Sequence, residues 1–419
     1  MKPKFFQNNR DKFFQNIKAN SLSLLYSGRL FQKTNDQEYP FEVEKNFYYL
    51  CGINQANVIL ALIKLNDYNK SVLFVEENDP VLSKWIGEKL TKEKAKIISG
   101  VDEVRYLTSF DDFIFSLFNS TRVNTNRVSS LYLNLERRNI IGYTNWALEF
   151  SNRFCEDYPE IEILNMREVV LSLRMIKEED EILAIEKAIL VTKKGIEEIL
   201  INLKPGLNEY HVDALFDYSV KTQGNYTLAF ETIAATGKNA TILHYSDKTE
   251  LIQKEDLVLL DLGARNGLYV SDISRTIPAS GKFNKRQKEV YSVVLEVNKK
   301  CIEYIKVGLT WAEFNNYSRL LLYKGLKNLG LVKSEEEVNK YYYHSIGHYI
   351  GLDTHDPGLA EVAFQEGMVL TVEPGVYIEE ENIGVRIEDN ILVTKHGPKN
   401  LSKEIIKEIS EIEEFMKAV

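Results

Sequence analysis

The stretch LVLLDLGARNGLYVSDISRT (257–276) leaves its part of the chain few choices. Asn266-Gly267 is the dipeptide favoured in a two-residue type I′ turn, so the stretch is expected to fold as an antiparallel hairpin. With those two residues at the turn, Asp261 stands directly opposite Asp272, their Cβ atoms roughly 5 Å apart. Leu257–Leu260 place the pair in buried surroundings. Facing like charges destabilise such a ladder unless a shared cation reverses the sign of the interaction.

A second acidic hairpin follows in VLTVEPGVYIEEENIGVRIEDNILVT (369–394). Two apolar-rich runs flank Glu379–Asn382, the expected loop, and pairing centred there sets Glu373 against Glu388. Pro374-Gly375 disturbs that ladder. On the connection between the hairpins lies HSIGHYIGLDTHD (344–356), which holds His344, His348 and His355, three of the six histidines in the chain. Taken singly, an Asp near a turn or a Glu in a strand belongs on a solvent face. Two facing acid pairs in apolar strands beside a histidine cluster are not what surface chemistry produces. Four carboxylates and one imidazole, with no thiolate, suit two divalent ions bridged by carboxylates: Mn²⁺, Co²⁺ or Zn²⁺. HSIGH lacks the glutamate of HExxH, and Gly347 and Gly351 weaken a helix there, which disfavours a single-zinc helical site.

The rest of the chain sets the frame. At 419 residues two domains are expected. Apolar and charged fractions of 44% and 27% are those of a soluble globular protein. A net charge of −9 argues against a nucleic-acid partner. The start, MKPKFFQNNRDKFFQN, lacks the apolar run of a signal peptide, and no later segment reads as a membrane span. Its two FFQN copies read as one amphipathic helix face. Cys51, Cys155 and Cys301 stand far apart, in no metal-ligand spacing, and suit a reducing cytoplasm.

Short β-rich runs such as SVLFVE (71–76) and SLYLNL (130–135) alternate with helical stretches, an α/β pattern. A long amphipathic helix, with Ile182, Ile185, Ile189 and Ile196 on its apolar side, ends before Lys204-Pro205-Gly206. The domain boundary is placed just ahead of it, giving a smaller mixed α/β domain over 1–167 and a second domain over 168–419. Further helices are expected over 208–222, 285–307, 310–328 and 403–417.

These motifs resemble the metallopeptidases of the pita-bread fold, in particular aminopeptidase P and its sibling prolidase. The family orders its ligands Asp, Asp, His, Glu, Glu. Here Asp261 and Asp272 sit in DLGA and SDISRT, His348 in HSIGHYIGLDTHD, Glu373 in TVEPGVY and Glu388 in GVRIED. LAFETIAATGKNATILHY (228–245) resembles the family segment that carries an active-site histidine, here His244. EYPFEVEKNFYYLCGINQANVILALI (38–63) resembles the shared N-terminal domain, which methionine aminopeptidases lack. Asn266 stands where an aromatic is frequent and Ser274 where a threonine is common; neither is expected to touch a ligand.

The resemblance implies a pita-bread catalytic domain and hydrolysis of Xaa-Pro-Yaa peptides by a hydroxide held between two metal ions, with Mn²⁺ foremost. Asp261 would chelate one ion, His348 and Glu373 the other, with Asp272 and Glu388 bridging. Glu373 would shuttle the proton, while His244 and His355 would stabilise the oxyanion or position the peptide. His344 would line the pocket or support His348. Arg386, on the strand face of Glu388, would orient a ligand carboxylate or form a salt bridge. Phe230 and Tyr377 match positions lining the proline pocket. Prolidases need a cation for the free carboxylate of a dipeptide, commonly an arginine between the histidine motif and the EPG strand. Residues 356–372 contain no Arg or Lys, which favours longer peptides. A homo-oligomer, dimer or tetramer, is the assembly the family implies. A non-catalytic binding protein on this fold is the rival reading, disfavoured because all five ligands are present.

Overall fold

The computed structural model describes residues 1–118, 128–137, 145–224 and 226–418. They form two units, Met1–Arg174 and Met175–Val419.

In the first unit the strands β1 (Ser21–Tyr26), β2 (Ile59–Lys64), β3 (Asn69–Val75), β4 (Glu103–Tyr106), β5 (Ser130–Leu133) and β6 (Glu162–Asn165) build one sheet. Its order is β4-β3-β2-β1-β5-β6. β1, β2 and β3 pair antiparallel and the remaining neighbours parallel. Leu22, Leu24, Val72, Phe74, Leu131 and Leu133 bury one face under Phe110, Phe113 and Phe118 and under Phe150 and Phe154 of two helices. The ring pairs Phe74–Phe110 and Phe118–Phe154 meet edge-on at 5.2 and 5.1 Å. The FFQN copies fall at the helix Pro3–Gln15, the second ending on its C-cap Asn16, and Phe5, Phe6, Phe13 and Phe14 are buried.

The boundary falls at 174/175, later than the 167/168 expected from sequence. The helix Arg167–Met175 is the reason. Its residues bond into the first unit: Arg174 Nη1 donates to Asn46 Oδ1 at 2.7 Å, and Tyr49 donates to the Leu173 carbonyl at 3.2 Å.

The second unit carries two helix pairs, Glu179–Asn202 with Glu209–Thr222 and Lys285–Tyr304 with Trp311–Asn328. Reciprocal caps start all four: Glu178/Glu181, Asn208/His211, Asn284/Gln287 and Thr310/Glu313. Its strands are β7 (Thr227–Leu228), β8 (Ile233–Thr236), β9 (Leu257–Leu262), β10 (Ala264–Asn266), β11 (Tyr269–Val270), β12 (Ile273–Pro278), β13 (Val369–Val372), β14 (Gly375–Ile378), β15 (Ile383–Arg386), β16 (Asp389–Thr394) and β17 (Gly397–Asn400). They group as β11-β10-β7, β12-β9-β8, β13-β16-β17 and β14-β15.

The first acidic hairpin exists, but its register differs from expectation. Asn266 pairs with Tyr269, so Gly267-Leu268 form the turn. Of the three residues Asn266, Gly267 and Leu268 only Gly267 has positive φ, +62°, which fits a type II′ turn rather than type I′. Asp261 consequently pairs with Ser274, and Asp272 is its diagonal neighbour. The ladder breaks at Gly263, where a Cβ would lie 1.9 Å from the Ser271 carbonyl oxygen. A strand step of two keeps the diagonal carboxylates on one face, so the expected acid pair survives the corrected register.

The second hairpin has the expected register. Val372 pairs with Asp389 and Gly375 with Arg386, which brackets Glu373 against Glu388. Pro374 interrupts the ladder there, dividing it into β13–β16 and β14–β15. The last helix begins at Ile409 rather than 403. The carbonyls of Ile405 and Ile406 accept hydrogen bonds from Arg275, which holds that segment out of a helix. Among the described residues, no helix is long and apolar enough to cross a membrane.

Candidate metal centre

Asp272, His348 and Glu388 each place a potential ligand atom within 4.8 Å of the other two. Glu373 joins them, since His348 Nε2 lies 3.4 Å from both Asp272 Oδ2 and Glu373 Oε1. Asp261 closes the set beside Asp272. The five expected ligand residues thus meet at one place: Asp272, Glu373 and Glu388 from the breaks in the two hairpins, Asp261 from within β9 and His348 from the histidine loop. A strand break serves this purpose because it frees a residue from the ladder while the flanking pairs hold its backbone.

Exposure within the set is graded. The Asp261, His348 and Glu373 side chains are 16, 20 and 16% exposed, whereas Asp272 and Glu388 as residues are 4 and 2% exposed. Burial first, then the charges of Asp261 and Glu373, hold the Asp272 carboxyl well above the usual carboxylate range. Burial and the neighbouring Asp272, Glu373 and Asp261 do the same to Glu388. Burial also raises Glu373, against the pull of His348 and Arg386.

Among the described residues, the buried oxygens Oδ1 of Asp261, Oδ1 of Asp272 and Oε1 of Glu388 have no hydrogen-bond partner. Such atoms are costly unless something positive satisfies them. The tautomer of His348 makes the same demand. Its Nδ1 lies 3.0 Å from the Tyr349 carbonyl, which can only accept, so Nδ1 carries the proton. Nε2 is then the ring nitrogen that faces the two carboxylates. An imidazole nitrogen set among carboxylates with orphaned oxygens is the arrangement a divalent cation completes, and the side chains here offer only oxygen or imidazole nitrogen.

A shell of hydrogen bonds fixes these groups. Thr371 Oγ1 donates to Glu373 Oε1 at 3.3 Å and accepts the His348 N–H at 3.0 Å. Asn390 pairs with the backbone of Asp272 in both directions, Nδ2 to the carbonyl at 2.7 Å and Oδ1 from the N–H at 3.2 Å. Arg386 is 3% exposed; it donates from Nη2 to Asp261 Oδ2 (2.7 Å), from Nε to Ser274 Oγ (2.8 Å) and from Nη1 to the Tyr377 hydroxyl (3.1 Å). It therefore forms a salt bridge with Asp261 and fixes the orientation of that carboxylate. Ser274 Oγ in turn donates to Glu388 Oε2 at 2.7 Å, so the expectation that Ser274 touches no ligand is corrected.

His344 takes up the same chain. Its Nδ1 donates to the Ser345 carbonyl (2.8 Å), leaving Nε2 to accept from Tyr377 Oη (2.9 Å). With both nitrogens engaged, His344 makes no hydrogen bond to His348. Burial, then the charge of Arg386, pushes its pKa down to about 4. The His355 ring packs edge-on to His348 with centroids 4.2 Å apart. Burial and the neighbouring His348 and His244 lower its pKa, which places His244 within electrostatic reach. Phe230 is half-buried with its ring against Gly263. Tyr377 is buried, and its pKa is pushed up to about 12 by burial.

Several supporting residues carried no readable signal in the sequence. Arg275, 1% exposed, donates from Nη1 to the carbonyls of Ser274 and Glu388 and from Nη2 to Asp389 Oδ1, stitching the two hairpins together. Glu209 accepts hydrogen bonds from Thr236 N–H, Asn239 Nδ2, the Tyr245 hydroxyl and Glu250 N–H, and so shapes the segment around His244. Thr371 and Asn390 belong with them.

Comparison with known proteins agrees with this geometry. The model of metallopeptidase family M24 matches residues 184–395, and that of the aminopeptidase P N-terminal domain matches residues 6–125. An Xaa-Pro aminopeptidase of Haemophilus influenzae is 31% identical over 98% of this chain and 96% of its own. A Bacillus anthracis structure assigned to aminopeptidase P superposes with a TM-score of 0.96 at 44% identity, over 100% of this chain and 99% of that one. Aminopeptidase P from Escherichia coli with the inhibitor Pro-Leu superposes with a TM-score of 0.90 at 28% identity, over the same shares. With both units matched and five ligand-type side chains converging, the chain belongs to the M24 metallopeptidases, built on the two-domain aminopeptidase P plan.

Proposed function

We propose that the chain is an Xaa-Pro aminopeptidase, removing the N-terminal residue from peptides with proline in second position, and that it works with two divalent ions. The observation that carries this reading is the trio of orphaned carboxylate oxygens on Asp261, Asp272 and Glu388 beside Nε2 of His348. Asp261 would hold one ion, His348 and Glu373 the other, and Asp272 and Glu388 both. The graded exposure supports that division, since the two deepest carboxylates are the proposed bridges. Mn²⁺ is the first choice, with Co²⁺ and Zn²⁺ as alternatives. When bound, the ions supply Lewis acidity that makes water nucleophilic near neutral pH and polarises the carbonyl preceding proline.

The chain's own residues supply the rest. Glu373, whose carboxyl is raised by burial, accepts the proton of the attacking water and delivers it to the proline nitrogen as the C–N bond breaks. Thr371 holds the Oε1 of that carboxylate in place. His355, kept neutral by its lowered pKa, still has one N–H to donate to the developing oxyanion, and His244 shares that role. Arg386 keeps Asp261 aligned, and the Arg386–Tyr377–His344 chain rigidifies the wall on which substrate rests. Phe230 and Tyr377 line the proline side.

Parallel assays of Ala-Pro-Ala and Ala-Pro with the Mn²⁺-loaded enzyme test the substrate class. The lack of Arg and Lys over 356–372 leads to preference for the tripeptide. Preferential hydrolysis of the dipeptide would make the chain a prolidase. We further infer a cytoplasmic enzyme, on the strength of three unpaired cysteines, acting as a homo-oligomer as the family resemblance implies.

A further inference from the structure

Behind the histidine loop lies a buried ion pair that the reaction itself does not use. Lys177 Nζ donates to Asp356 Oδ2 at 2.9 Å, and both side chains are 1% exposed. Asp356 immediately follows His355. Its backbone N–H bonds to the Tyr349 carbonyl at 2.8 Å, and its Oδ1 accepts the Asp353 N–H at 3.2 Å. The carboxylate therefore gathers the loop from inside while Lys177 grips it from outside. A Cβ on Gly351 would lie 2.7 Å from Asp356 Oδ2 and 2.9 Å from Lys177 Cε, so the loop closes directly over the pair.

The anchor of this clasp is itself fixed. The Lys177 N–H bonds to the Gly367 carbonyl at 2.9 Å. Four residues on, buried Glu181 accepts from the Tyr269 hydroxyl at 2.8 Å, tying the start of the helix Glu179–Asn202 to the hairpin of Asp261 and Asp272. Val270 N–H bonds to the Gly351 carbonyl at 3.0 Å, joining that hairpin to the loop. His355 thus hangs between two rigid supports, one of them directional and charged.

Stability alone does not account for such a pair. Apolar replacements of a buried ion pair are often neutral or stabilising, because desolvation offsets the Coulombic gain. What an ion pair adds over apolar packing is a fixed direction. We propose that Lys177 and Asp356 are positioning residues whose task is to hold the His355 imidazole in register with the reacting carbonyl. This rests on the reading of His355 as an oxyanion donor.

The test is a double-mutant cycle through His355, read as kcat and KM on Ala-Pro-Ala with the Mn²⁺-loaded full chain. Lys177→Met is expected to lower kcat by about ten- to hundredfold with KM within about twofold, the scale of a displaced catalytic group. Bound manganese per chain is expected to stay at the parent level. In a His355→Ala background the same change should cost less than about twofold, because the group being positioned is gone. The variant Lys177→Met/Asp356→Leu should recover the parent thermal midpoint without recovering kcat. If Lys177→Met does not fold, Asp356→Asn and the double apolar variant carry the same cycle. An equal loss from Lys177→Met in both backgrounds, or recovery of kcat in the apolar double variant, overturns the positioning role. Parent-like activity of His355→Ala itself would instead overturn the role of His355, and the positioning role with it.

Discussion

Loading the metal-free enzyme with Mn²⁺ at pH 6 is expected to release protons. Three carboxyls of the site, Asp272, Glu373 and Glu388, have pKa values raised above the usual range by burial and by one another. Asp261 is already charge-paired with Arg386 at 2.7 Å. Cations bind the ionised form only, so each carboxyl still protonated at the working pH gives up its proton on binding. One released proton makes affinity rise tenfold per pH unit, about 1.4 kcal/mol. For one to two protons, Mn²⁺ affinity should tighten by roughly ten- to a hundredfold between pH 6 and 7. Calorimetric titrations in buffers of different ionisation enthalpy count the protons from the slope of observed enthalpy, and Asp272→Asn should lower that count. Stability follows the same sign. A carboxyl whose folded pKa exceeds its unfolded value keeps a proton that the unfolded chain has lost. The metal-free fold therefore loses stability as pH rises from about 4 towards the raised value, and bound metal removes that loss. A zero slope at pH 6 would mean that Asp272, Glu373 and Glu388 are already ionised there, and would refute the reasoning.

Three further outcomes follow from the same contacts. Asp272→Asn, which weakens the proposed bridge, should nearly abolish turnover while far-UV circular dichroism stays that of the parent; near-normal activity would contradict the assignment. Ser274→Ala removes the donor to Glu388 Oε2 and the acceptor of Arg386 Nε. Leaving these buried groups unmatched should cost about 1–3 kcal/mol in denaturant unfolding of the metal-free protein, and a value near zero would show that the groups re-pair. His344 titrates near 6.5 when unfolded and at about 4 when folded. The unfolded chain binds the extra proton between those values, so stability present above pH 6.5 is lost as pH falls towards 4, by roughly 3 kcal/mol at most. His344→Gln should flatten that part of the pH–stability curve relative to the parent.

What could be read from the residues divides along sequence separation. The second hairpin was legible in register because its apolar runs flank a single polar loop, Glu379–Asn382. In the first, Asn266-Gly267 gave the right hairpin and the wrong turn. The preference of that dipeptide is local, whereas the actual register follows from the backbone contact between Gly263 and Ser271. The acid pair was still found, because opposed and diagonal neighbours share a face. The role of Ser274 is not legible locally because its contact, Glu388, lies 114 residues away. Arg275, Glu209 and the Lys177–Asp356 pair escaped notice for the same reason: a buried charge shows its role only once its partners are in place. The helix boundary near 403 failed because Arg275 takes the Ile405 and Ile406 carbonyls, a competition that periodicity does not register.

The bonds of Arg275 also bear on when the enzyme becomes an enzyme. Its guanidinium joins the hairpins of Asp272 and Glu388 to a segment that begins 130 residues beyond Arg275. Contacts so distant form late, after shorter loops have closed. During synthesis on the ribosome, the first acidic hairpin emerges long before the segment that secures it. Hydrolytic competence is therefore expected only after the segment around Ile405 has been made, since until then the guanidinium that joins the two acidic hairpins lacks part of its anchorage.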